Sequence, residues 1–226
     1  MLERLPATVI LMGTSMLLGF LIAIVLGLYS GKNKNGVLDK ITSMFCYVGI
    51  SIPTFWFGIM LIYLLSVHLH ILPSIGMHSD GNRSFGDLIL HMVMPCAVLT
   101  FANASQYIRY LRSSTITEMS SDYVMVQKAY GMKESGILFR HVLKNAMLPV
   151  VTMMALQVSS MLSGAVLTES VFGVPGIGRL AVNAIETRDM PLLQGTVIFT
   201  TILIIAGNLV ADLLYNVLDP RIREGA

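Results

Sequence analysis

The chain has 226 residues, of which 54% are hydrophobic and only 12% charged, and its mean hydropathy is +0.72. Soluble domains carry about 25% charged residues, so this composition excludes an ordinary cytosolic domain, and a net charge of +2 is too small to indicate a nucleic-acid partner. Cys46 and Cys96 both lie inside apolar runs, which excludes a disulfide scaffold; they and the sixteen methionines read as packing or lipid-facing side chains.

A membrane-spanning helix takes about 20 mostly apolar residues, and five such runs follow one another. Thr8 to Ser30 carries no formal charge; it is too long for the apolar region of a signal peptide, and no small-residue cleavage pattern follows it. Ile41 to Leu69 is interrupted by Pro53, which lacks an N–H and predicts a kink. Leu88 to Ile108 is more polar, with His91, Asn103 and Gln106. Between residues 111 and 145 a polar segment has Tyr123, Val126, Ala129 or Tyr130, Ile137, Leu138 and Val142 at near-helical spacing. Asp122 suits a helix start and Gly131 interrupts the pattern. Ala146 to Thr168 forms a fourth span with Pro149 in its first turn, and Pro191 to Leu218 a fifth, carrying Asp212. The reading is a single all-α domain over residues 1–226, a polytopic membrane helix bundle.

Topology follows from the cations, which cytoplasmic loops retain. Lys32, Lys34, Lys40, Arg109, Arg112, Lys128, Lys133, Arg140, Lys144, Arg221 and Arg223 fall on one side. The alternate side has Arg4, Arg83, Arg179 and Arg188, diluted by Glu3, Asp80, Asp87, Glu169, Glu186 and Asp189. This places the N-terminus outside and the C-terminus inside. An outside N-terminus without a leader suggests a segment missing upstream.

Catalytic signatures are missing. Gly31-Lys32 lacks the earlier glycine and following Ser or Thr of a phosphate loop, and Gly173, Gly176 and Gly178 follow no strand and read as turn glycines. His68, His70 and His91 have no metal-ligand spacing, so no metal site is expected and the chain reads as a non-enzyme. Polar residues inside spans are costly and usually face a bundle interior or a water-filled route. Thr100, Asn103, Gln106 or Tyr107 and Tyr110 form one stripe; Gln157, Ser160 and Gly164 a second; Thr201, Asn208, Asp212 and Asn216 a third. With Ser51 and Pro53 of the second run, the candidate translocation path is Ser51, Pro53, Asn103, Gln106, Gln157, Ser160, Asn208 and Asp212. The competing reading is interhelical hydrogen bonding that holds the bundle together. Asp212 reads better as a partner for an interfacial Arg than as a proton carrier.

The polar segment carries the specific signal. Asp122-Tyr123-Val124, Lys128-Ala129-Tyr130-Gly131-Met132-Lys133-Glu134 and Arg140 through Pro149 resemble the EAA loop of ABC importer permeases, in the B-type subunit of the dipeptide, oligopeptide and nickel class. Leu5-Pro6-Ala7-Thr8, Ser51 through Trp56, Glu169-Ser170-Val171-Phe172 through Pro175-Gly176-Ile177-Gly178 to Arg188-Asp189, and the tail Asp219 to Arg223 also fit. The EAA positions themselves read Met125, Val126 and Gln127, and Lys144 replaces a common Pro. Family members carry a further helix and an external segment upstream.

The resemblance implies a type I importer permease in the bacterial cytoplasmic (inner) membrane. It would pair with a homologous second permease, two ATPase subunits and an extracytoplasmic substrate-binding protein, within membrane lipid. No cofactor is bound directly, and ATP and Mg are used by the ATPase subunits. Coupling falls to Tyr123, Val124, Gln127, Lys128, Ala129, Tyr130, Gly131, Met132 and Lys133, and binding-protein contact to Glu169, Phe172, Pro175, Gly176, Arg188 and Asp189. Short peptides are the implied cargo, with nickel or a nickel chelate as the alternative in the class and an ATP-independent secondary transporter or channel as the alternative outside it.

Overall fold

A computed structural model describes residues 1–79, 81, 84–161 and 164–218, with the side chains of residues 159, 160 and 210–218 outside that description. Ser160 and Asp212 of the expected path therefore lie outside the described side chains. Asp80 and Arg83 of the outer-side charge tally, and the tail from Asp219 onward, lie outside the described residues altogether.

Every regular element among the described residues is helical. The order is α1 Leu5–Lys32, α2 Val37–Ser51, α3 Thr54–Leu61 continuing through wide π-helical turns Ile62–His68, and α4 Phe85–Met119. Then come α5 Asp122–Ala129, α6 Glu134–Ile137 leading through wide turns Leu138–Val142 into α7 Leu143–Ala146, α8 Leu148–Met161, α9 Val166–Val171, α10 Ile177–Glu186 and α11 Met190–Leu218. Three helices, over Leu5–Lys32, Phe85–Met119 and Met190–Leu209, are long and apolar enough to cross a membrane, and α2 with the helix after it makes a fourth candidate bent by 99°.

Three expectations change in detail. Pro53 does not kink one helix but separates two: it takes an extended conformation, φ −61° and ψ +130°, at the start of α3. The run from Ala146 to Thr168 is not one span. α8 is described to Met161, and beyond it Gly164 adopts φ +88° with its N–H closing onto the Met161 carbonyl at 3.1 Å, a left-handed conformation that a right-handed helix does not pass through. The stretch from Glu169 to Pro191, between the fourth and fifth apolar runs, is not a plain connection: it contains the second half of α9 and all of α10.

The sequence is read as one domain; its contacts gather into two compact units. Unit 1 comprises Met1–Met16, Ile52–Thr100 and Ala155–Ala226, and unit 2 comprises Leu17–Ser51 and Phe101–Met154. In unit 1 the buried core contains Leu11, Met94, Val98, Phe172 and Val174, with Phe57 and Leu61 of α3 packed against it. Gly58 admits the Phe172 ring so closely that a Cβ there would stand 2.9 Å from it.

In unit 2 the core joins Leu28 of α1, Tyr107, Ile108 and Leu111 of α4, Val124 of α5, and Ile137, Leu138 and Val142. Here α1 lies against α4 along glycines. A Cβ on Gly27 would come 2.9 Å from Leu111 Cβ, and one on Gly31 2.6 Å from Thr115 Cβ. Small residues that allow close backbone approach are how helices associate where no hydrophobic drive separates protein from lipid.

Candidate functional site

Helix α4 is 35 residues long, about 52 Å at 1.5 Å per residue, against about 30 Å of hydrocarbon. The helix is therefore longer than an untilted crossing needs, and its last turns carry Glu118. That carboxylate accepts the Tyr123 hydroxyl at 2.6 Å and Asn145 Nδ2 at 3.2 Å, tying α4, α5 and α7 together. Burial, reinforced by the Glu118 carboxylate, pushes the Tyr123 phenol above its ordinary range. Val124 is fully inside the unit 2 core.

Helix α5 is thus anchored along one side and open along the other. Met125 is 68% exposed, Val126 52% and Tyr130 85%. After Ala129 the chain bends at Gly131, φ +77°, as the spacing of the motif leads one to expect. Lys128 Nζ meets Glu134 Oε1 at 3.0 Å, and Lys32 at the end of α1 meets Glu134 Oε2 at 3.5 Å. These cations, Lys128 first, hold the Glu134 carboxyl below its ordinary range.

Of the residues assigned to coupling, Lys128, Ala129, Tyr130, Gly131, Met132 and Lys133 are exposed, Gln127 is half-buried, and Tyr123 and Val124 turn inward. The last two are corrected from contact residues to anchors: one is hydrogen-bonded to Glu118 and the other fills the core. Met125 and Val126, left out of that assignment, supply the exposed apolar surface. Helical spacing carries the signal, because Met125 precedes Ala129, and Val126 precedes Tyr130, by four residues.

A second polar cluster in unit 2 joins α1, α2 and α4. The buried Asp39 carboxylate accepts Arg112 Nη2 at 2.8 Å, Ser30 Oγ at 2.6 Å and the Asn35 N–H at 2.8 Å, and Arg112 Nε also donates to it. In the sequence Arg112 counts only as one topological cation, and Asp39 draws no attention as the lone acid among lysines.

In unit 1 the structure reassigns Glu169. It is wholly buried, accepting the Thr8 hydroxyl at 2.8 Å and the Arg179 N–H at 3.0 Å, while Thr8 Oγ1 accepts the Ile177 N–H at 2.9 Å. Glu169 thereby caps the first turn of α10 from a different helix, satisfying donors that a helix start leaves open. A Cβ on Gly176 would overlap its carboxylate. Phe172 and Gly176 are buried as well, so three of the six residues expected at the binding protein serve this chain's own packing, with Gly176 also lining a small cavity. Pro175 is half-buried, and Arg188 and Asp189 are exposed. Nearby in sequence to the third span, Asp87 accepts Ser79 Oγ at 2.7 Å and the Ser79 N–H at 2.8 Å, with His78 Nδ1 at 3.3 Å and His91 Nδ1 at 3.5 Å.

The expected path residues divide between the units. Ser51, Asn103 and Gln106 belong to unit 2, and Pro53, Gln157 and Asn208 to unit 1. Asn103, Gln106 and Gln157 are half-buried, whereas Ser51, Pro53 and Asn208 are exposed.

Several helices apolar and long enough to cross a membrane, with a short anchored helix exposing apolar side chains, are the features of a multi-pass membrane protein. Residues 23–224 match the family described as binding-protein-dependent transport system inner membrane component. The chain is 38% identical over 222 residues to the oligopeptide transport system permease protein AppB of Bacillus subtilis, covering 98% of this chain and 70% of that one. It is 35% identical over 243 residues to the dipeptide transport system permease protein DppB of Escherichia coli K12, covering 98% and 72%. A solved structure of the MetNI methionine ABC transporter in inward facing conformations superposes with a TM-score of 0.73 at 15% identity, over 96% of this chain and 95% of that one, and shares the fold. The chain belongs to the binding-protein-dependent inner membrane component family, and is a permease subunit of an ABC importer.

Proposed function

We propose that this permease carries short peptides inward, in an assembly with a homologous second permease, two ATPase subunits and an extracytoplasmic binding protein. The relatives named for oligopeptide and dipeptide transport support the cargo. The observation that carries the coupling is α5 itself: Val124 and Tyr123 fix one side while Met125, Val126 and Tyr130 stand in solvent. An isolated two-turn helix is not stable in water, so anchoring gives the ATPase a rigid element to move. ATP is hydrolysed, with Mg as its counter-ion, in the partner subunits, and this chain supplies the route.

The topology puts α5 in the cytoplasm, the N-terminus outside and the C-terminus inside, from the distribution of Lys and Arg. Exposed Arg188 and Asp189, with Pro175, face the binding protein. Ser51, Pro53, Asn103, Gln106, Gln157, Ser160, Asn208 and Asp212 line the route, polar groups that a bilayer tolerates only inside protein or against water.

The test is uptake of labelled di- to pentapeptides into proteoliposomes holding the complete assembly. Peptide accumulation that needs ATP, both ATPase subunits and the binding protein is the expected result. Accumulation without ATP, or of nickel and not peptide, refutes the reading. Tyr130→Ala with Val126→Ser should leave insertion intact and strip the ATPase subunits from the purified complex.

A further inference from the structure

Unit 1 contains a cavity of about 180 Å³ lined by Arg4, Pro175, Gly176, Arg179, Leu180 and Asn183. A larger one of about 470 Å³ adjoins it through Arg4 and Pro175 and reaches Glu3 and Met77. Two arginines thus line one small, open space. Among the described residues neither has a carboxylate within 4 Å.

Arg179 is built into this site. Its N–H is held by the buried Glu169 carboxylate at 3.0 Å, and its Nη1 donates to the Gly173 carbonyl. Gly173 sits at φ +64° and has no room for a Cβ against Ile75. The guanidinium is therefore fixed before any ligand arrives, which removes part of the ordering cost of binding. Glu169 lies wholly inside the protein and does not line the cavity; Arg4 and Arg179 are the charged side chains of its lining, and Glu3 belongs to the adjoining larger one.

We propose that the Arg4–Arg179 cavity receives a single carboxylate side chain, Asp or Glu, from the extracytoplasmic binding protein, and so sets the register in which that protein docks. This rests on the importer reading and outward topology given above, and adds residues that reading does not use. The part that holds both arginines is, at about 180 Å³, smaller than the 300–1,000 Å³ of sites that enclose a drug-sized ligand, room for a side-chain head whose backbone would lie over the adjoining larger cavity. Guanidinium groups match carboxylates with paired N–H donors, and Asn183 adds an amide. Arginine is among the residues that anchor protein interfaces.

The test uses the complete assembly in nanodiscs of neutral lipid, with labelled binding protein titrated onto it. Arg4→Gln with Arg179→Gln should raise the dissociation constant roughly tenfold, the order expected when one side of a partly desolvated charge pair is removed. The wild-type advantage should shrink at high salt. Arg179→Glu should regain affinity when one acidic residue of the binding protein is changed to Lys. Arg4→Gln alone lies outside the Glu169 cluster, and a rise of severalfold there supports the proposal if Arg179 variants fail to assemble. An unchanged dissociation constant in the assembled double variant overturns it. So does a defect seen only in anionic lipid, which assigns the cavity to a phosphate headgroup, or only in the peptide concentration needed for uptake, which assigns it to the cargo carboxylate. If wild-type assembly shows no binding-protein-dependent uptake, the importer reading fails and this proposal falls with it.

Discussion

Replacing Glu169 with alanine is expected to be among the most destabilising single changes in unit 1. The side chain has no exposed surface and accepts two hydrogen bonds, from Thr8 Oγ1 at 2.8 Å and from the Arg179 N–H at 3.0 Å. Stranding a buried donor costs about 1–3 kcal/mol, so two cost about 2–6, and the void left by the lost Cγ and carboxylate adds about 2 kcal/mol. Partial collapse and hydroxyl rotation recover some of this, leaving about 4 kcal/mol. For a domain of this size 1 kcal/mol moves a melting midpoint by about 2–4 °C, which gives a fall of about 8–16 °C. Glu169→Gln keeps the volume and one acceptor and should cost about 1–2 kcal/mol. Thr8→Val breaks the same chain at its middle, so the Thr8→Val, Glu169→Ala pair should be clearly non-additive. The assay is the apparent midpoint of the purified protein in detergent, read from loss of the monodisperse chromatographic peak. An alanine variant within about 2 °C of wild type, or a glutamine variant as damaged as the alanine one, refutes the assignment of Glu169 as a buried cap.

Asp39→Asn leaves Arg112 without its anionic partner in a partly buried site; breaking such a pair costs about 3–5 kcal/mol when fully buried and about 2 kcal/mol with Arg112 27% exposed, and pairing it with Arg112→Met should recover part of that loss in the same melting assay. Gly131→Ala is expected to cost about 1–2 kcal/mol because φ +77° disfavours any side chain, while Gly136→Ala, in open space with an ordinary backbone, should be neutral or slightly stabilising; equal effects at the two positions would show that the bend after α5 is not needed. The Glu134 carboxyl is held below its usual 4.5 by Lys128 and Lys32, so its tether is fully present above that value and is lost as pH falls through the lower folded value. Hydrogen exchange over residues 122–137 should rise at acid pH, and Glu134→Gln should flatten that dependence.

The spans were legible because their signal is collective: a run of some twenty apolar residues outweighs any one side chain. Breaks were less so. Gly164 has the same composition as the packed Gly27 and Gly31, and only the three-dimensional neighbours decide whether a glycine admits a helix or ends one. The coupling segment was legible as a motif, but not which side of α5 faces out, since Tyr123, Val124, Met125 and Val126 are all apolar or aromatic and sit in one turn. The deciding partners are Glu118 and the core around Leu111, brought in from α4. Glu169 shows the reverse error. An acid in a loop reads as surface, and nothing local says that Thr8, 161 residues away, will bury it.

Anchoring and exposure in α5 answer one physical requirement. A helix of 8 residues has too few internal hydrogen bonds to stay folded under load, and a greasy surface left mobile would aggregate or collapse onto lipid. Two ties oppose this, and they reach different spans: Tyr123 to Glu118 leads into α4, and Lys128 to Glu134 to Lys32 leads into α1. A displacement of α5 is therefore delivered to two helices at once. Those same two helices meet where Gly27 and Gly31 of α1 seat the side chains of Leu111 and Thr115 of α4, so only one layer of side chains separates the backbones. Close-packed elements shift as rigid bodies and do not deform continuously, so the glycine seam matters to transmission as well as to packing. Gly31→Ala tests this: because its Cβ would lie 2.6 Å from Thr115 Cβ, it should force α1 from α4 and lower ATP-driven uptake more than it lowers ATPase binding, whereas parallel losses of both would make the seam a matter of folding alone.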